Sequence, residues 1–243
     1  MEEDILTLKA PLCRSDCISI VVPTYNEAVN VKLLIPLLSK TLSSRGITHE
    51  IIVVDDDSPD GTAEVAKALS VEYPVKVIVR RGVRGLASAV IRGFKETSCN
   101  YVVVMDADLQ HPPHAIPRIF SALVRGCDIV VASRYVKGGG VEGWSKLRLV
   151  ESRVATLLAH MLIRESRRTT DPMSGFFGCR KGAVVVKEAA RGFKILLEIL
   201  HANPQAKVCD VPYLFRARIH GKSKLGLNTI FDYLVQLVLR TFT

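Results

Sequence analysis

The sequence predicts an α/β fold, a doubly wound and mainly parallel sheet flanked by helices. Two observations predict it. Short apolar runs rich in Val and Ile recur at residues 18–23, 50–56, 75–80, 101–109 and 128–135. Their hydrophobicity is continuous rather than alternating, which marks strands covered on both faces. Between them lie helix-like stretches at 28–44, 62–72, 86–97 and 113–125. Strand and helix in repeated alternation, joined by right-handed crossovers, build a doubly wound sheet.

Each element has a local justification. The stretch at 113–125 follows His111-Pro112-Pro113, and proline suits the first turn of a helix. A Gly-rich loop at 138–143 then leads to a basic amphipathic helix at 146–164. In it Leu147, Val150, Val154, Leu157, Leu158 and Met161 recur at helical spacing. A polar loop at 167–174, a strand at 175–180 and a helix ending near His201 come next. A strand pattern at 208–218, a basic loop at 220–224 and an apolar helix-like segment at 228–240 complete the chain. Residues 1–225 are expected to form one unit, with a first half at about 17–135 and a second at about 136–225. Residues 226–243 are expected to form a terminal helix.

Composition narrows the class. With 48% hydrophobic and 23% charged residues, the chain is not a disordered one. A net charge of +9 favours anionic partners: nucleic acid, acidic lipid or phosphorylated small molecules. Aromatics are only 6% and do not interleave with the basic runs, so nucleic acid is not the expected partner. The six cysteines (Cys13, Cys17, Cys99, Cys127, Cys179, Cys209) lack metal-site spacing and read as core thiols in a reducing compartment. The acidic start Met1-Glu2-Glu3-Asp4 is unlike a secretory signal. No apolar run approaches the ~20 residues of a membrane span, so a soluble or peripheral chain is expected.

In an open α/β sheet, ligands collect beyond the carboxyl ends of the strands. Three strands end there in polar residues: Pro23-Thr24-Tyr25-Asn26-Glu27, Asp55-Asp56-Asp57-Ser58-Pro59-Asp60-Gly61 and Met105-Asp106-Ala107-Asp108-Leu109-Gln110-His111. Grouped carboxylates are costly unless a cation or hydrogen-bond donors compensate them. At a strand end alternate residues point the same way, so Asp106 and Asp108 are expected to converge on one hard cation. Gln110 could add a carbonyl oxygen. Magnesium or manganese held so keeps positions open for substrate phosphates.

Three other motifs fail on inspection. A calcium loop beginning at Asp55 would need ligands where Pro59 and Ala66 stand. A P-loop ending at Gly221-Lys222-Ser223 would need glycine at Arg216. Gly138-x-Gly140-x-x-Gly143 lies mid-chain, separated from its strand by Arg134-Tyr135-Val136-Lys137, and reads as a mobile loop.

Taken together, these segments resemble the dolichol-phosphate mannosyltransferases, inverting glycosyltransferases with the Rossmann-like GT-A fold. The resemblance runs from about residue 18 to 234. Beyond the three strand ends it rests on Ser133-Arg134-Tyr135, Asp171-Pro172-Met173-Ser174-Gly175-Phe176-Phe177, Gly192-Phe193-Lys194-Ile195-Leu196-Leu197-Glu198 and Gly221-Lys222-Ser223-Lys224-Leu225. It implies a nucleoside site lined by Pro23, Tyr25, Glu27, Val54 and Asp56. It implies a divalent cation, Mg²⁺ or Mn²⁺, on Asp106, Asp108 and Gln110, with Ala107 also at the donor. Arg218 and Lys224 would act on the donor diphosphate or sugar. Arg134, Arg148 and, one turn further, Ser152 would bind the acceptor phosphate. Lys222 stands where relatives of this kind more usually carry glutamate, and has no assigned role.

The implied reaction takes GDP-mannose and dolichyl phosphate to dolichyl β-mannosyl phosphate and GDP. UDP-glucose is the alternative donor. The acceptor's long polyprenyl tail implies a membrane surface. The cytosolic face of the endoplasmic reticulum is expected, or the cell membrane in a prokaryote. The helix at 146–164 and the segment at 228–240 are candidates for contact with that surface. Small membrane-anchoring subunits are further implied partners.

Overall fold

The computed structural model describes residues 5–7, 17–187 and 195–217. A short strand β1 (Ile5–Thr7) precedes β2 (Cys17–Thr24), α1 (Ala28–Ser43), β3 (Thr48–Asp55), α2 (Thr62–Leu69) and β4 (Val75–Val79). There follow α3 (Leu86–Lys95), β5 (Tyr101–Val104), a 3₁₀ turn at Pro113–Ala115, α4 (Ile116–Val124) and β6 (Ile129–Ser133). The second half adds β7 (Gly140–Val141), α5 (Lys146–Leu162), a 3₁₀ turn at Arg164–Arg168, β8 (Phe177–Arg180) and β9 (Val185–Lys187). It continues with α6 (Ile195–Ala202), β10 (Val208–Pro212) and β11 (Leu214–Phe215).

The main sheet has seven strands in the order β10-β6-β8-β5-β2-β3-β4. All run parallel except β8, which is antiparallel to both its neighbours, β5 and β6. Apolar periodicity reports burial but not direction, so the reversal of β8 is a property of the chain's path after α5. Strands from both halves of the chain share this sheet.

Continuous hydrophobicity has the expected cause. Ile18, Ile20, Val22, Ile51, Val53 and Val103 enter a core layer with residues of α1 and α4. Val21, Ile52, Val54, Val102 and Val104 enter the opposite layer with residues of α3 and α6. Alternate residues of one strand thus face two different cores. Helix α3 packs so closely that a Cβ at Gly93 would lie 2.3 Å from Val21 Cγ1. Any larger residue there would push the helix off the sheet.

Two expectations need correction. The run 101–109 is strand only to Val104, and Asp106–Asp108 lie in the loop that follows. Strand alternation therefore does not set the directions of their side chains; the loop does. The cysteines are not all thiols: Cys17 bonds to Cys99 and Cys127 to Cys209, each across 82 residues of sequence. Both bonds sit at the amino ends of strands, where neighbouring strands begin side by side. Spacing along the chain gives no hint of that proximity. Cys179 is a buried free thiol, and burial pushes its pKa well up. Cys13 lies outside the described residues.

Candidate active site

The carboxyl ends of β2, β3 and β5 come together as expected, and the loops leaving them share an unusual backbone. Asn26, Asp57 and Leu109 all have φ between 55° and 62°. Left-handed conformations are uncommon for residues with a Cβ, and here each one follows a strand that delivers polar groups.

The acidic segment after β3 divides into distinct roles. Asp55 is fully buried and accepts from Thr24 Oγ1 (2.8 Å), Ser58 N (2.8 Å) and Ser58 Oγ (2.6 Å). It ties the first two loops together. Asp60 accepts the amide of Ala28 at the start of α1 (3.0 Å) and that of Thr62 at the start of α2 (3.1 Å). Burial opposes its charge, but hydrogen bonds from Thr62 and Ala28 outweigh it and hold the carboxyl below its usual pKa.

Asp56 is already engaged within the protein. Oδ1 accepts from Arg80 Nε (2.8 Å) and Nη2, and Oδ2 accepts from Gly85 N (2.9 Å). Arg80 also donates to Ser88 Oγ (2.8 Å). The carboxylate thus anchors the loop at 80–85, and Arg84 lies over the Tyr25 ring, 4.5 Å from its centroid. Asp56, Asp57, Gly82, Val83 and Arg84 line a cleft of about 500 Å³. Asp57 stands exposed beside Asp56. Pro23, Tyr25 and Glu27 are half-buried at the β2 end, where Glu27 Oε2 accepts from Asn30 Nδ2 (2.6 Å). Val54 is fully buried in the core, so only its backbone could meet a ligand.

The Asp106-Ala107-Asp108 loop presents one half-open carboxylate and one buried one. The Asp106 side chain is 45% exposed, whereas Asp108 is 5% exposed and accepts from Gln110 N (3.1 Å). Gln110 Nε2 donates to Arg216 O (3.0 Å), and Gln110 O accepts from Arg216 N (3.0 Å). The side-chain amide oxygen is the acceptor end of the same group. Among the described residues no three His, Cys, Asp or Glu side chains gather closely enough to cage an ion. Two adjacent carboxylates with an amide oxygen are nonetheless the hard-oxygen set that suits a cation completed by water and substrate phosphate.

His111 was not assigned from sequence, yet it is 2% exposed and its Nε2 lies 3.3 Å from Asp106 Oδ2. Its ring contacts Phe176, Tyr213 and Phe215. Phe215 in turn lies under the Arg134 guanidinium, 5.7 Å away. One aromatic wall therefore joins the carboxylate loop to the arginines beyond β6.

Arg134 donates to Asp171 through Nε (2.7 Å), Nη2 (2.8 Å) and its backbone amide (3.1 Å). Its side chain is 9% exposed and Asp171 is 0%. Burial works against the cation, but the hydrogen-bonded Asp171 outweighs it and raises the guanidinium's pKa, so it stays charged. A phosphate would have to be met through Nη1 and the second hydrogen of Nη2. Tyr135 OH donates to Ser152 Oγ (2.6 Å), and Arg153 lies over the Tyr135 ring (4.2 Å). Arg148 lies over Trp144 (4.6 Å), on the first turn of α5, where Ser145 Oγ accepts its backbone amide (3.2 Å). Asp171 and Tyr135 were visible only as members of motifs. Arg218, Lys222 and Lys224, and the segment 226–243, lie outside the described residues.

The α/β sheet thus brings the carboxylates of one strand end and a buried arginine to the same aromatic wall. The chain belongs to glycosyl transferase family 2, whose model matches residues 19–191. It is 50% identical over 218 residues to a dolichol-phosphate mannosyltransferase from Pyrococcus furiosus, covering 89% of this chain and 61% of that protein. A dolichol-phosphate mannosyltransferase from Mycosarcoma maydis is 39% identical over 243 residues, covering 96% and 80%. The fold is similar to that of glucosyl-3-phosphoglycerate synthase from Mycobacterium tuberculosis, solved with Mn²⁺, UDP-glucose and phosphoglyceric acid. There the TM-score is 0.65 at 21% identity, over 93% of this chain and 80% of that one.

Proposed function

We propose that this glycosyltransferase moves mannose from GDP-mannose to dolichyl or another polyprenyl phosphate, with inversion at the anomeric carbon. The observation that carries the reading is the shared wall of Phe215, which touches His111 beside Asp106 on one side and Arg134 on the other. Donor and acceptor phosphates would meet across it. The names of the relatives support the choice of substrates.

Asp106, Asp108 and the Gln110 oxygen would hold a divalent cation, Mg²⁺ or Mn²⁺. Bound there, it would neutralise charge developing on the donor diphosphate. Pro23, Tyr25, Glu27 and the backbone of Val54 would line the nucleoside cleft, and Asp56 would shape it by holding the loop at 80–85. Arg218 and Lys224 would approach the diphosphate from the C-terminal side.

The acceptor phosphate is substantially ionised at neutral pH, since phosphate monoesters have a second pKa of about 6. Its oxygen attacks the anomeric carbon directly, the bond to the β-phosphate oxygen breaks, and that electron pair leaves with GDP. No side chain has to remove a proton. Arg134 and Arg148 orient the nucleophile, because a planar guanidinium matches phosphate oxygens. Ser152, held by Tyr135, adds a hydroxyl.

Helix α5 supports a membrane surface as the place of work. Leu147, Val150, Val154, Leu157 and Met161 are all exposed, at 48–68%, while only Leu158 of the apolar set turns inward. An apolar face flanked by Lys146 and Arg153 suits the interface plane of an anionic bilayer. Among the described residues no helix is long and apolar enough to cross a membrane. We place the reaction at the cytosolic face of a cell or endoplasmic reticulum membrane. Small anchoring subunits are a further proposed partner.

Turnover of GDP-mannose and UDP-glucose with one polyprenyl phosphate, with and without Mn²⁺ or Mg²⁺, tests the donor. Cation-dependent transfer from GDP-mannose is expected, and activity with UDP-glucose alone would overturn the assignment. Arg148→Ala tests the acceptor side. Loss of charge-assisted hydrogen bonds should raise the acceptor KM about 10- to 100-fold and leave the donor KM little changed. Equal effects on both would remove Arg148 from the acceptor site. Arg134 is a poorer probe, since breaking its buried pair with Asp171 would itself cost about 3–5 kcal/mol of stability.

A further inference from the structure

We infer that His111 is a positioning residue for the cation site, donating from Nε2 to Asp106 Oδ2 and so setting which oxygen the aspartate presents. The inference rests on the proposed cation role of Asp106 and adds a residue to it.

The two ring nitrogens of His111 have opposite surroundings. Nε2 lies 3.3 Å from Asp106 Oδ2. Nδ1 is buried with no hydrogen-bond partner among the described residues. The imidazole is otherwise enclosed by rings, with centroids 5.0 Å from Phe176, 5.4 Å from Phe215 and 5.7 Å from Tyr213. A proton on Nδ1 would have no acceptor and would set the Nε2 lone pair against a carboxylate oxygen. The hydrogen therefore belongs on Nε2, where it is a donor to Asp106.

A hydrocarbon ring would fill this aromatic cage without burying an unpartnered nitrogen. What it would not supply is the N–H facing Asp106. The position thus carries a cost at one ring nitrogen that only the other nitrogen's contact offsets. Gly175 completes the arrangement: a Cβ there would lie 3.4 Å from Asp106 Oδ2 and 3.6 Å from His111 Nε2. With no side chain at that point, Asp106 remains half-exposed while one of its oxygens is held. Hydrogen bonds from behind a ligating carboxylate orient it, and losing them typically weakens metal affinity 10- to 100-fold.

The experiment is an EPR titration of Mn²⁺ in the presence of GDP, paired with thermal unfolding, on the wild type and on His111→Phe, His111→Gln and Asp106→Asn. His111→Phe should weaken Mn²⁺ binding about 10- to 100-fold, with a Tm at or above that of the wild type. His111→Gln, which retains an N–H donor, should recover part of the affinity. Wild-type affinity in His111→Phe, when Asp106→Asn has lost binding, would overturn the inference alone. Failure of the wild type to bind Mn²⁺ with GDP would overturn the cation site as well. Long-range ¹H–¹⁵N NMR of the wild-type imidazole gives a check independent of any variant's folding. A proton on Nε2 is expected, and a neutral ring protonated on Nδ1 alone would overturn the inference.

Discussion

Asp108→Asn lowers kcat/KM by roughly 10²–10³-fold, the loss that follows when one preorganised group stabilising leaving-group charge is removed. Asparagine is the sharper substitution because it changes charge and little else. Asp108 is buried and its Oδ1 accepts the Gln110 amide, a bond that the amide oxygen of asparagine retains. The loop should therefore keep its shape, and unfolding temperature should stay near that of the wild type. Steady-state kinetics over a Mn²⁺ series, with calorimetry on the same samples, separates the two effects. Unchanged turnover would remove the cation from Asp108. A fall in Tm matching the fall in activity would make the residue structural.

Reducing the two disulfides lowers thermal stability by a large amount and leaves turnover at moderate temperature nearly unchanged. Each bond closes a loop of 82 residues, for which chain entropy gives about 4.5 kcal/mol. The loops 17–99 and 127–209 do not overlap, so the contributions should add. For a chain of this length, each corresponds to a Tm decrease of roughly 9–18 °C. The bonded residues lie at the amino ends of the strands, whereas the acidic loops lie at the carboxyl ends. Scanning calorimetry and transfer assays with and without reductant, and on Cys17→Ser and Cys209→Ser, provide the test. An identical Tm in reductant would show that the bonds contribute nothing.

The cysteines illustrate where reading along the chain stops. Cys17 and Cys99 carry no mutual signal in sequence, yet they become neighbours because β2 and β5 are adjacent strands. Asp106 and Asp108 show the converse. Their residue types and their place after an apolar run mark them as candidates, but strand alternation does not set their geometry, since β5 ends at Val104. Asp56 was legible as a polar residue at the end of an apolar run. Its commitment to Arg80, 24 positions away, was not.

Local pattern was sufficient for the type and order of the main strands and helices, though not for where β5 ends. Valine and isoleucine in unbroken runs specified strands covered on both faces, and alternation with helical periods specified the doubly wound architecture. Polar residues at run ends marked one edge of the sheet as the candidate site. Tertiary structure alone decided the antiparallel insertion of β8 between β5 and β6, the pairing of Arg134 with Asp171, and the exposure of the α5 apolar face. It also decided the contact of His111 with Asp106 inside an aromatic cage. The physical reason is common to all of these. Periodicity encodes which side of an element is buried, but not which element will cover it. Most of the decisive contacts join residues distant in sequence that meet only when the sheet closes around them.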